Sequence, residues 1–82
     1  MTCKSTPARQ LDACGLRCPL PLLRTKQALA GMQSGETLEV LATDAGSWRD
    51  IPAYLSRAPH QLLEQDESEA GLFRFLIQRG ED

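Results

Sequence analysis

The 82 residues predict an α/β two-layer sandwich of order βαβαββ, a mixed four-stranded sheet with two helices on one face. Three observations carry that expectation. A short, partly alternating segment runs straight into a glycine turn and a proline-opened helical repeat. A period-two strand follows that helix at the distance of a βαβ unit, about 35 residues in all, so the first two strands should be parallel. Near the end, two alternating segments flank a polar loop of hairpin length.

The first strand covers residues 9–13 and is read as one chiefly because a turn and a helix follow at once. The helix spans about 19–32, with Leu22 and Leu29, and Leu23 and Ala30, repeating at seven. Gly31 or Gly35 ends it. Its start has two open registers. With Pro19 as first helical residue, Cys18 is the N-cap, but Leu20 is then held helical in front of a proline. With Pro21 first, Leu20 caps and Cys18 lies just outside.

In the strand at 37–43, Leu38, Val40 and Ala42 face one way and Glu39, Leu41 and Thr43 the other. A turn at 44–47 leads to a second helix ending near Arg57, in which Ser47 and Asp50 resemble a capping box. Pro52 must distort this helix, and Ile51, Leu55 and Ala58 make its buried stripe. Strands at 61–66 and 72–79 follow, joined by the loop 67–71. On the last strand Phe73, Phe75 and Ile77 are the core face. Arg17, Leu41 and Leu76 are expected on the open side of the sheet, a partly apolar contact surface.

Residues 1–8 read as a loose tail carrying Cys3, and 9–79 as a single domain. No apolar run approaches the roughly 20 residues of a membrane span, and Met1 to Ser5 lack the apolar core of a secretory signal. The expected compartment is the cytoplasm. Three cysteines leave at least one unpaired, which argues against a disulfide scaffold. With one histidine and no second cysteine pair, a structural metal is not expected. Net charge is −2, but residues 1–30 carry +4 and residues 31–82 carry −6. A basic half carrying the cysteine suits an acidic protein partner or a small anion, and a merely solvated charge pattern is an equal alternative. No basic run with interleaved aromatics supports direct binding to nucleic acid.

Chemistry concentrates in residues 11–21, Leu-Asp-Ala-Cys-Gly-Leu-Arg-Cys-Pro-Leu-Pro. Cys18 stands where the proline-opened helix begins, so the helix dipole and the nearby Arg17, Arg24 and Lys26 should favour its thiolate. Pro19 and Pro21 remove backbone donors from the helix mouth, leaving a site for one small anion rather than a phosphate. They also stiffen the loop that presents the thiol. Cys18 merely filling a small site beside a proline turn is the plainer alternative. Cys14 could close an internal disulfide or trisulfide with Cys18, or be an incidental turn residue. His60 is placed in a structural turn rather than as a base for Cys18, since no third group orients it. Asp12 and Asp44 fit hydrogen bonds to turn amides.

Gly15-Leu16-x-Cys18-Pro19-x-Pro21, preceded by Leu11-Asp12, resembles the Cys-Pro-x-Pro motif of the TusA-like (SirA-like) sulfur carriers. The likeness continues in Lys26, Ala28-Leu29, Gly35-Glu36, Asp44, Arg49-Asp50-Ile51-Pro52 and His60, although Pro59 stands where the family commonly has glycine. The resemblance implies the same two-layer fold and a sulfurtransferase relay with the persulfide on Cys18. Gly15, Arg17, Pro19, Pro21 and Arg24 would support it. It also implies a cysteine desulfurase as donor, a downstream acceptor protein, and no cofactor, metal, membrane or direct nucleic acid. The chain is expected to be a monomer. Sulfur delivery toward tRNA 2-thiouridine, molybdenum-cofactor assembly and sulfur oxidation all stay open. Two other readings stand beside the relay: a non-catalytic binding or regulatory module using the sheet face or basic patch, and a redox switch of Cys14 with Cys18.

Overall fold

The computed structural model describes residues 9–80. Its elements run β1 (Arg9–Ala13), α1 (Leu20–Ala30), β2 (Thr37–Ala42), α2 (Ser47–Leu55), β3 (Gln61–Glu69) and β4 (Leu72–Gln78). The sheet order is β1-β2-β4-β3. β1 and β2 are parallel, and β4 is antiparallel to both β2 and β3. The expected order and mixed sheet are therefore observed. β1 and β3 form the two edges of the sheet.

The core lies between the sheet and the helices. Leu38, Val40 and Ala42 point inward from β2, alternating with half-buried residues as the period of two requires. Phe75 and Ile77 meet them from β4, and Leu29, Ile51 and Leu55 close the layer from the two helices. Leu23 is 44% exposed, so the expected seven-residue pairing of Leu23 with Ala30 is not the packing face. Pro21, Thr25 and Leu29 are buried instead, because Thr25 satisfies its hydroxyl by donating to the carbonyl of Pro21 at 2.8 Å. A hydroxyl bonded to its own helix can enter the core.

α2 runs from Ser47 to Leu55 and carries Pro52 inside it. A proline lacks the N–H that would bond to the carbonyl four residues back, here that of Trp48. Gln65 of β3 supplies the donor, with Nε2 2.8 Å from the Trp48 carbonyl oxygen. The Trp48 ring lies 5.5 Å from that of Phe73 and 6.2 Å from that of Phe75, both tilted. The helix is thus tied to the hairpin by its backbone and by a side chain.

Two expectations need correction here. The loop expected at 67–71 is shorter, because β3 continues to Glu69 and only Ala70 and Gly71 turn the chain. Register shifts between Leu62 and Glu64 and between Glu67 and Glu69 accommodate the longer strand. The open face of the sheet is also less apolar than expected. Leu76 is only 5% exposed, in register between Glu39 and Glu64, and Arg17 lies in the loop before α1 rather than on the sheet. Arg74 spans this face, binding Glu39 at 2.5 Å, Glu64 at 2.8 Å and Asp66 at 3.0 Å.

Candidate functional site

Parallel pairing of β1 and β2 brings the two turns that follow them to the same end of the sheet. The first turn, between β1 and α1, holds Cys14, Gly15, Arg17 and Cys18. It is tied down at several points. Cys14 N donates to Asp12 Oδ1 at 3.0 Å, Gly15 N to Thr43 Oγ1 at 2.8 Å, and Leu16 N to the Ala13 carbonyl at 3.3 Å. Gly15 has φ +82°, a left-handed conformation that an L side chain rarely adopts. The Cys18–Pro19 peptide is cis. Leu20 N returns to the Arg17 carbonyl at 2.8 Å, and Leu23 N reaches the Pro19 carbonyl at 3.0 Å.

The helix start matches neither expected register. Leu20 is the first helical residue and Pro19 the N-cap, so Pro21 is second and Cys18 stands one residue outside the cap. Cys18 and Cys14 are both free and exposed. Gly15 and Pro19 are exposed parts of the same loop, and Pro21 is buried beneath it. Arg17 and Arg24 are exposed beside it.

The second turn closes on Cys18 from the other side. Asp44 Oδ2 accepts the Gly46 amide at 3.0 Å, and the Asp44 carbonyl accepts the Ser47 amide at the same distance. Asp12 and Asp44 thus play the turn-building role expected of them. A Cβ on Gly46 would lie 3.7 Å from Cys18 Sγ, an ordinary contact, and 2.8 Å from Asp44 Oδ2, so the turn lies against the cysteine and it is the Asp44 carboxylate that crowds this position. Ser47 Oγ is buried without a partner among the described residues.

From the first turn of α2, Asp50 Oδ2 accepts the Cys18 thiol at 2.7 Å. The expected capping box is therefore absent: Gly46 is the N-cap, no side chain caps the helix, and Asp50 turns to the cysteine. The thiol is pushed above its ordinary value, chiefly by this bond to Asp50, then by desolvation and by the charges of Asp50 and Asp44, with Arg49 opposing. That corrects the expectation that Arg17, Arg24 and Lys26 would favour the thiolate. Asp50 of α2 and Asp44 of the second turn dominate the thiol's surroundings, not the cations of the first. The Cys14 thiol is raised in the same sense by Asp12.

Asp50 is the residue that the sequence reading missed as a partner of Cys18. It lies 32 positions away, yet the parallel βαβ arrangement was a signal that the two turns would meet. Asp50 also lines a groove of about 310 Å³ between the helices, with Leu22, Lys26, Ala53, Tyr54 and Arg57. Lys26 Nζ sits 5.0 Å above the Tyr54 ring. His60 accepts the Gly80 amide on Nδ1 at 3.0 Å, which places it in the structural turn expected for it. Cys3 lies outside the described residues. Among the described residues, no group of three or more His, Cys, Asp or Glu side chains could hold a metal ion. No described helix is long and apolar enough to cross a membrane.

The family described as sulfurtransferase TusA matches residues 9–79. The sulfur carrier protein TusA of Allochromatium vinosum is 48% identical over 71 residues, covering 87% of this chain and 92% of that protein. A putative sulfur carrier protein of Bacillus subtilis, YrkI, is 47% identical over 70 residues, covering 85% and 92% respectively. The crystal structure of a SirA-like protein from Desulfitobacterium hafniense superposes with a TM-score of 0.77 at 30% identity. That match covers 89% of this chain and 99% of the other.

Proposed function

This chain belongs to the TusA sulfurtransferase family, and from that premise we propose that it accepts sulfur as a persulfide on Cys18 from a cysteine desulfurase. It then relays the sulfur to an acceptor protein, with the 2-thiouridine of tRNA as one destination. The working unit is residues 9–79, acting as a cytoplasmic monomer. The observation that carries the reading is an exposed thiol on a loop held at both ends. Sulfur transfer between two proteins needs a cysteine that both can reach, in a loop that loses little further freedom on docking.

The geometry described supports a role for each residue. Gly15 gives the loop its left-handed turn and Pro19 fixes the residue after the thiol. Pro21 anchors the helix mouth in the core. Arg17 and Arg24 stand exposed beside the loop, where they guide an acidic partner rather than lower the thiol's pKa. The donor carries its own pyridoxal phosphate, so this chain supplies only the thiol that carries the sulfur.

The test is intact mass and peptide mapping after incubation with a cysteine desulfurase and free cysteine. One added sulfur on Cys18, removed by a thiol reductant, is the expected result. Cys18→Ser should lose it entirely while keeping the wild-type circular dichroism spectrum. A folded wild-type protein that gains no sulfur would sink the relay with this class of donor.

A further inference from the structure

We infer that Asp50 is a further functional residue of this site, holding the proton of Cys18 between transfers and passing it on when sulfur arrives. The inference rests on the relay reading for its second half only. Its ground is geometric. Asp50 Oδ2 lies 2.7 Å from Cys18 Sγ, and a Cβ on Gly46 would stand 3.7 Å from the same sulfur, so the start of α2 borders the thiol on two sides. The carboxylate is also free of the duty its position suggests, since no side chain caps this helix. The charged groups that bear on the thiol are Asp50 and Arg49 from α2 and Asp44 from the turn before it. Lys26 of α1 and Arg57 beyond α2 line the same groove as Asp50.

A carboxylate that accepts a thiol hydrogen bond loses that bond, and gains a repulsion, when the thiol ionises. The empty carrier is therefore kept as a thiol, a poor nucleophile toward stray electrophiles. In the transfer step Cys18 sulfur attacks the outer sulfur of the donor persulfide. The new S–S bond forms on Cys18 as the donor's S–S bond breaks, and the donor cysteine leaves as a thiolate. The proton shared by Cys18 and Asp50 goes to that thiolate. The moving sulfur keeps its oxidation state, so no oxidant or reductant is consumed. Asp50 acts at both ends of the step.

The test compares wild type with Asp50→Asn and Asp50→Glu, each verified as folded by circular dichroism and thermal melting. Asp50→Ser replaces the asparagine variant if that one fails to fold. Two rates are followed across pH by peptide mass: alkylation of Cys18 by iodoacetamide and loading of Cys18 by glutathione persulfide. In Asp50→Asn the alkylation profile should move to lower pH and the rate at neutral pH should rise several-fold. Loading relative to alkylation should fall several-fold. Asp50→Glu should restore both toward wild type. An unmoved alkylation profile overturns the proposal, as does loading that rises in step with alkylation. If wild-type Cys18 takes up no sulfur, the relay reading fails, while the alkylation profile still judges whether Asp50 holds the proton.

Discussion

Gln65 Nε2 donates to the carbonyl of Trp48 at 2.8 Å, filling the place of the N–H that Pro52 lacks. A side chain from an edge strand thus completes the helix whose first turn carries Asp50. Replacing Gln65 by leucine should leave the Trp48 carbonyl without a protein donor. The bond is accessible to water, so the loss should be modest, about 0.5–1.5 kcal/mol by urea denaturation. Cys18 alkylation should change little if α2 keeps its seat, because the core residues Ile51 and Leu55 remain in place.

Gly46→Ala tests the close approach of the second turn. The added Cβ would meet Asp44 Oδ2 at 2.8 Å, a distance that forces the carboxylate to move. The moving atom is the end of a side chain, so the cost is that of its bond to the turn amide, about 0.5–1.5 kcal/mol, read as a slightly lower denaturation midpoint. The displaced Asp44 should also release its hold on the turn amide, seen as faster hydrogen exchange at residue 46.

Arg74 gathers Glu39, Glu64 and Asp66 on the open face of the sheet. Arg74→Leu should leave three carboxylates together without their cation. The expected loss is about 1–3 kcal/mol, since the guanidinium is partly shielded but the two outer acids are exposed. Added salt should narrow the gap between variant and wild type by screening the acids from one another.

The same cluster sets a response to acid. Arg74 first, and Gln10 second, hold the Glu39 carboxyl below the ordinary glutamate value of 4.5. A carboxyl depressed in the folded state contributes stability that is complete above its unfolded value and is lost as pH falls through the folded one. The urea midpoint should therefore hold down to about pH 5 and fall below it. Glu39→Gln should flatten that fall, which urea titrations over the same range would measure.

Cys14→Ser should load sulfur as fast as wild type. Cys14 is exposed and unpaired, and its raised thiol answers to Asp12 rather than to Cys18. Loss of loading in this variant as well as in Cys18→Ser would instead establish a thiol pair.

Most of the fold was legible because its signals are local. The alternation of Leu38, Val40 and Ala42 against Glu39 and Leu41 determines the inner face of β2, and Phe75 and Ile77 do the same for β4. The buried face of α1 was harder to read. Thr25 looks polar, and only its bond to the Pro21 carbonyl lets it replace Leu23 inside. The cysteine loop was legible as a site, through its glycine and prolines. Its electrostatics were not, because counting charges along the chain put Arg17, Arg24 and Lys26 beside Cys18. Folding instead brings up Asp50 and Asp44. Proximity in sequence was the wrong measure for a residue seated between two turns.

β3 leaves one side of a nine-residue strand at the edge of the sheet. Such an edge offers unsatisfied backbone groups to any second strand, including that of another copy. Here Glu64, Asp66, Glu67 and Glu69 all lie exposed along it. Two copies approaching edge to edge would bring eight carboxylates together before a backbone bond could form. Arg74 neutralises part of that charge from within each sheet, which leaves the remainder directed outward. The acidity of the second half of the chain is therefore a colloidal property as much as a structural one. It opposes the joining of sheets between copies, and neutralising it in acid should bring aggregation along with unfolding.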